Sequence, residues 1–266
     1  DQIRDTKQAL IAAFMLVLLP LLFLYKTQSD MGSAVVILVG AFVVMWLGGL
    51  PGRFVAVLGI AVVVAGVFGI VGYRADRVSV WLDPWSDQYD TGYQMIRSFF
   101  AFSEGGIFGV GLGNGHEKYQ YLFASDSDFV FAVIGEELGM VGCLAVIALF
   151  LGVLYTGTLI ARSARDDFSM MIAGGLTIAL VFQAFLNIAC AIGVFPTTGK
   201  PLPFISSGGS SVVASLLMVG IIMSVSRVAG EEALTPHRAS AERRRANLNY
   251  IRVEDEPPAR SRFSSS

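Results

Sequence analysis

The chain has 266 residues and a formal net charge of −2, with 54% hydrophobic and only 15% charged residues, and its mean hydropathy is +0.64. Soluble domains carry about 25% charged residues, so an ordinary soluble globule is excluded, and no nucleic-acid partner is expected. Two cysteines, Cys143 and Cys190, exclude a disulfide framework or a cysteine cluster; both fall in apolar runs and read as small apolar fillers.

Uncharged runs follow one another along the chain. They span 8–25, 31–52, 54–73, 138–161 with an upstream extension over 129–135, 168–199, and 201–226, the last with its helical part expected from Gly209. About 20 apolar residues cross a bilayer core as a helix. The expected fold is an all-α membrane protein, a polytopic transmembrane helix bundle of six spans with a long loop between the third and fourth. Residues 1–229 form the transmembrane domain, with the loop over 74–128. Residues 230–266, polar and carrying "RRR" and "EDEPP", are expected to be a disordered tail. Residue 1 is Asp, and "DQIRDTK" is no signal peptide, so the chain reads as a piece of something longer that lacks its beginning.

Six crossings put both termini on one side. Arg53, Arg162 and Arg165 lie in short loops on that side, with Arg238, Arg243, Arg244 and Arg245 in the tail; the opposite short loops carry only Lys26 and Lys200. The positive-inside rule makes the termini cytoplasmic and the long loop extracytoplasmic.

That loop is too long for a passive connection. Its Trp81, Trp85, Tyr89, Tyr93, Tyr119 and Tyr121 are residue types that settle at membrane interfaces. "GYQMIRSFFAFSEGG" reads as a short helix closed by Gly105, lying on the bilayer surface or docked on the spans. "GVGLGNG" (109–115) is not a dinucleotide fingerprint, because no strand precedes it and no βαβ unit surrounds it. It reads as a flexible turn, with anion binding through its backbone N–H groups as a weaker option. His116 is a lone loop histidine, more ordinarily a surface residue than a metal ligand. Arg74, Arg77, Arg97 and Lys118 are the loop's cations; they are either solvated or hold a lipid pyrophosphate.

"SDSDFVFAVIGEELG" (125–139) concentrates four carboxylates at one membrane face. Ser125, Asp126, Ser127 and Asp128 are N-cap types, so a helix is expected to begin here. A cap explains one aspartate. Glu136 and Glu137 lie about two turns inside the apolar run, where a charge costs several kcal/mol unless paired, protonated or hydrated. They are either functional acids or members of structural ion pairs. Further on, Pro201 and Pro203 in "PLPFISSGGSS" forbid regular helix, and Gly208-Gly209 permit unusual backbone. This segment either shapes the fold as a re-entrant loop or lines a substrate cavity with Lys200, Ser206, Ser210 and Ser211.

"SDFVFAVIGEELG" followed by "TTGKPLPFISSGGSS" (197–211) resembles the FtsW/RodA/SpoVE family, also called the SEDS proteins. "QSDMG" (28–32), "RVSVWLDPWSDQYDTGYQ" (77–94) and "GIFGVGLGNG" with "KYQYL" agree in order and spacing, so the resemblance covers about residues 8–227. Family members have about ten spans, and the six here correspond to the last six. The resemblance implies a peptidoglycan glycosyltransferase that polymerises lipid II at the outer face of the bacterial plasma membrane. It implies a class B penicillin-binding protein as partner, together with other divisome or elongasome membrane proteins. By motif match the essential acid is Asp128, acting as general base or as ligand of a divalent cation, magnesium or manganese; Asp126, Glu136 and Glu137 are supporting acids. Arg77, Lys118, Lys200, Ser206, Ser210 and Ser211 are the candidate substrate-binding residues.

The sequence departs from the family pattern in four places: Asp126 two residues before the acid, "LFA" at 122–124, Ser29 for Pro, and Ser207 for Tyr. Asp126 sets a second acid beside the first, which would raise one pKa or improve a cation site. The division type fits better than the elongation type. Two other classes compete, a lipid II flippase, which the intramembrane acids would suit, and a non-catalytic divisome scaffold. The motif acids cluster at one face rather than at mid-membrane, which favours the enzyme.

Overall fold

A computed structural model describes residues 31–53, 56, 59, 75–89, 92–116 and 128–230. The run 8–25, most of 54–73, and the tail 231–266 lie outside the described residues, as do Arg74, Lys118 and Asp126. Among the described residues the chain is helical, without strands. The order is α1 (Met31–Leu47), α2 (Ala75–Leu82), a 3-10 turn (Pro84–Asp87), α3 (Tyr93–Gly105), α4 (Val130–Arg162), α5 (Asp167–Ala191) and α6 (Gly209–Gly230).

Helices α4, α5 and α6 are long and apolar enough to cross a membrane, and α1 is a shorter apolar helix. In their most apolar stretches 44% of α5 is buried, against 17% of α4 and 11% of α6, so α5 is the central helix. It packs on α4 along one side and α1 along another, while α3 packs on α4. Exposed Leu144, Leu149, Tyr155, Leu217 and Met223 form the outer apolar surface of α4 and α6, as lipid-facing positions require.

Two expected boundaries shift. The apolar run 168–199 is helical only to Ala191. Gly193 and Gly199 take left-handed φ values of 76° and 68°, and Pro196 and Pro201 follow the same end, so the chain from 192 to 208 cannot continue the helix. The expected N-cap also moves. The helix at 130 is capped by Phe129, with no side-chain cap bond, so Asp128 is not the helix's cap. Phe129 is buried instead, in a core with Phe131, Phe150, Ile188 and Leu202.

Helix α4 is not one straight rod. Gly139 breaks it, with φ 67° and ψ −164°. The part after the break, about 34 Å long at 1.5 Å per residue, suffices for a bilayer core of about 30 Å. The part before it, Val130 to Leu138, is a separate short helix carrying Glu136 and Glu137. The loop after α3 fills the break. Val110 and Gly111 N–H donate to the Glu136 and Glu137 carbonyls (3.0 Å each), and Met140 and Val141 N–H donate to the Gly106 and Ile107 carbonyls (3.0 and 3.2 Å). These are the groups that an unbroken helix would pair internally. The "GVGLGNG" stretch is thus more than a turn: its first residues are spliced into the α4 hydrogen-bond ladder. Glycine is needed at the contact. A Cβ on Gly109 would lie 2.2 Å from the Glu137 carbonyl oxygen, and one on Gly105 would lie 1.9 Å from that of Gly135.

Helices α2 and α3 dock on the spans rather than standing apart. Trp81 Nε1 donates to the Gly193 carbonyl (2.8 Å), and Ser98 Oγ donates to the Ala191 carbonyl (2.5 Å). Met95, Ile96, Ser98 and Ala101 of α3 are buried, whereas Trp85 and Tyr89 stay exposed.

Candidate functional site

The end of α5 organises the site. Gln183, Asn187 and Cys190 fall at i, i+4 and i+7, one helix face. All three reach the non-helical segment beyond α5. Gln183 Nε2 donates to the Pro201 carbonyl (3.0 Å), and Cys190 Sγ donates to the Pro196 carbonyl (3.2 Å). Asn187 does more. Its Nδ2 donates to the Lys200 carbonyl (2.7 Å) and to the Asp128 carbonyl (2.8 Å). One buried amide, 1% exposed, therefore joins two segments that lie 72 residues apart in sequence (200 − 128).

Asp128 and Lys200 consequently line one cavity, with Gln94 of α3, Phe129, Asn187, Cys190, Thr197, Thr198 and Gly199. It encloses about 390 Å³ of atom-free space, part of it open to solvent. Gly199 borders the carboxylate; a Cβ there would stand 3.6 Å from Asp128 Oδ2. A second, more open cavity of about 770 Å³ adjoins it at Lys200, lined also by Ser33, Gln183, Pro201, Ser210, Ser211 and Ser215. Lys200 Nζ donates to Ser33 Oγ. The stem of Lys200 runs over Gly32, where a Cβ would sit 2.5 Å from Cγ, so the glycine of "QSDMG" makes room for this lysine.

The arrangement can hold an anion beside a base. Asp128 lines the first cavity and Lys200 lines both, with the Thr197, Thr198, Ser210 and Ser211 hydroxyls as neutral donors and acceptors around them.

The candidate residues separate clearly. Asp128, Lys200, Ser210 and Ser211 come together at the two cavities. Ser206 lines neither; it is 2% exposed, and its Oγ accepts from Leu202 N–H (2.8 Å), closing the "PLPFIS" turn on itself. Arg77 belongs to α2, and its side chain lies outside the described residues, as do Lys118 and Asp126. Arg97 stacks on Tyr93 and Phe100, 5.0 and 5.9 Å from the ring centres. Glu136 and Glu137 are buried but line neither cavity. His116 N–H donates to Glu136 Oε1 (2.5 Å), so this acid is engaged by the loop after α3.

Gln94 closes the "RVSVWLDPWSDQYDTGYQ" motif but was not singled out as a site residue, and Ser33, Gln183 and Asn187 lie outside the motifs. The polar i, i+4, i+7 stripe in an otherwise apolar span is the signal that would have found the last two. Cys143 and Cys190 are both free and buried. Cys190 adds to its filler role a place in the cavity wall.

Comparison with known proteins follows the same lines. A family profile described as cell cycle protein, FtsW/RodA/SpoVE, matches residues 1–231. A protein of Mycobacterium tuberculosis named probable peptidoglycan glycosyltransferase FtsW is 43% identical over 211 residues, 77% of this chain and 40% of that protein. One of the same name from Geobacter sp. is 38% identical over 216 residues, 80% of this chain and 59% of its own. The chain therefore spans about half the length of these relatives. Among solved structures, one titled "Structural coordination of polymerization and crosslinking by a peptidoglycan synthase complex" superposes with a TM-score of 0.67 at 30% identity, covering 85% of this chain and 63% of the other. The rod shape determining protein RodA of Thermus thermophilus superposes at 0.55 with 28% identity, covering 84% and 57%. With the profile covering nearly the whole helical region, this membrane-embedded chain belongs to the FtsW/RodA/SpoVE family.

Proposed function

We propose that the protein to which this chain belongs is a peptidoglycan glycosyltransferase that polymerises lipid II at the outer face of the bacterial plasma membrane. The observation that carries the reading is the Asn187 clamp, which brings Asp128 and Lys200 to one cavity. The names of the relatives, probable peptidoglycan glycosyltransferase FtsW, support the same chemistry.

The acceptor sugar's 4-hydroxyl attacks C1 of the donor MurNAc, and the bond from C1 to undecaprenyl pyrophosphate breaks with inversion. The Asp128 carboxylate takes the hydroxyl proton as the new glycosidic bond forms. The Lys200 ammonium offsets the charge that develops on the departing pyrophosphate. Ser210 and Ser211 extend hydrogen bonding into the second cavity, toward the lipid-linked end. Inversion needs no covalent glycosyl-enzyme, so one carboxylate suffices for proton transfer.

The donor set at this cavity also fits a magnesium or manganese ion. Asp128 would give one carboxylate, and Gln94, Thr197 and Thr198 would give neutral oxygens. Such ions bind through one or two carboxylates plus substrate phosphates. When bound, the ion would steady the pyrophosphate as a Lewis acid.

By the same reading the long loop is extracytoplasmic and the termini cytoplasmic. A class B penicillin-binding protein crosslinks the product, in keeping with the polymerization and crosslinking named for the synthase complex. Other divisome or elongasome membrane proteins complete the assembly. The flippase alternative drew on Glu136 and Glu137, but Glu136 is engaged by the His116 backbone, which weakens that motive.

The test is glycan-strand formation from labelled lipid II by the full-length protein with its transpeptidase partner, with and without a divalent cation. Polymer from wild type and none from Asp128→Asn is expected. A folded Asp128→Asn protein that still polymerises would overturn the assignment. A response to the cation in wild type separates ligand from base.

A further inference from the structure

We propose that Glu104, His116 and Glu136 form a site for a divalent transition-metal ion, separate from the cavity at Asp128. The three residues come from three segments: the last turn of α3, the loop that follows it, and the short helix before the α4 break. One ligand atom from each lies within 4.8 Å of the others. Bound at about 2.0–2.2 Å, three ligands stand roughly 3–4 Å apart. Glu104 and His116 are exposed, so rotamer changes close the difference.

Glu136 anchors the group. It is 0% exposed, and its Oε1 accepts from the backbone N–H of His116 (2.5 Å). The residue that would offer the imidazole is thereby tied to the carboxylate that would share the ion. Gly115 lies so close that a Cβ would come 2.9 Å from Oε2. Fixed backbone, a buried acid and an exposed pair of outer ligands make a cradle open on one side.

The donor set selects the ion. One imidazole nitrogen with two carboxylate oxygens suits manganese or zinc, whereas magnesium and calcium favour oxygen alone. The ion supplies positive charge to a wholly buried carboxylate, which such burial otherwise penalises. It also ties α3, the inserted loop and the short helix together at the splice into α4. The site serves as a brace, and it stands whether or not the polymerase reading holds.

The probe is manganese, followed by paramagnetic resonance, with full-length protein stripped by chelation and reconstituted in lipid nanodiscs. Thermal unfolding is measured with and without manganese or zinc. Wild type is expected to bind about one such ion per chain at this site and to melt at higher temperature with it. His116→Ala and Glu104→Gln alter exposed side chains only, so folding is retained; each is expected to weaken affinity at least about tenfold and to remove the thermal shift. Asp128→Asn is expected to keep this ion and the thermal shift, and to lose only a manganese ion bound at the Asp128 cavity. Unchanged manganese binding in the double variant His116→Ala/Glu104→Gln would overturn the proposal. So would loss of this binding in Asp128→Asn, or wild-type protein that takes up neither metal.

Discussion

Replacing Gly139 by alanine tests the splice between the loop and α4. At φ 67° and ψ −164° a residue with a side chain is strained by about 1–3 kcal/mol. Its Cβ would also lie 2.4 Å from the Gly109 nitrogen and 2.5 Å from the Ile107 oxygen. Those are backbone atoms, and moving them threatens the four hydrogen bonds across the splice, worth about 1 kcal/mol each. The helix could instead straighten. Two internal bonds, from Met140 N–H to Glu136 and from Val141 N–H to Glu137, would then replace the four, and the loop would detach. Keeping the break costs roughly 1–7 kcal/mol, strain plus up to four bonds, and straightening costs about 2 kcal/mol, a net two bonds. Gly152, in the same helix with nothing within 4 Å of its Cβ position, is the control; alanine there should be neutral or slightly stabilising. The assay is thermal unfolding in nanodiscs together with amide exchange at Gly106–Gly111. Equal melting temperature and equal loop protection in Gly139→Ala and Gly152→Ala would refute the splice as a stabilising feature.

Two substitutions at the cavity read out its geometry. Asn187→Asp keeps shape but removes the donor to Asp128 and Lys200, at roughly 1–3 kcal/mol for each carbonyl left without it; lipid II turnover should lose kcat more than KM, and an effect on KM alone would contradict a positioning role. Lys200→Met keeps length but removes the ammonium where the two cavities meet. A charge-assisted hydrogen bond is worth about 1.5–3 kcal/mol, so affinity for undecaprenyl pyrophosphate should fall roughly tenfold to hundredfold, with partial recovery in Lys200→Arg. Unchanged affinity in Lys200→Met would remove this lysine from the site.

What the sequence made legible was what depends on local pattern. Apolar runs located α1, α4, α5 and α6, and "GYQMIRSFFAFSEGG" located α3 to its last residue, Gly105. Motifs marked Asp128 and Lys200 separately, but not their meeting at one cavity, because nothing local announces proximity between residues 72 positions apart (200 − 128). The break at Gly139 was hidden for a related reason. A glycine within an apolar helical run is tolerated in most helices, and only the tertiary insertion of Val110 and Gly111 shows why this one turns. His116 stood alone in sequence. Its neighbours Glu104 and Glu136 are 12 and 20 residues away (116 − 104 and 136 − 116), and the splice that gathers them leaves no spacing signature.

The break also bears on how Asp128 is held. In an unbroken span starting at Phe129, the acids at 136 and 137 would be carried into the apolar layer, and the loop carbonyls and amides would lack partners. Ending the short helix at Leu138 keeps those glutamates against the loop. It also lets the segment from Phe129 to Leu138 take its own direction, set by Phe129 and Phe131 in the core and by the four splice bonds at its far end. Asp128 precedes that segment, with its carbonyl held by Asn187 of the central helix. Its backbone is thus fixed from two independent directions, through α5 and through the short helix. A carboxylate held in this way reaches the cavity without relying on the loop before it, which is the preorganisation that the proposed proton transfer would require. The glycine-rich loop then acts at a distance: by seating the far end of the short helix, it helps set how Asp128 stands at the cavity.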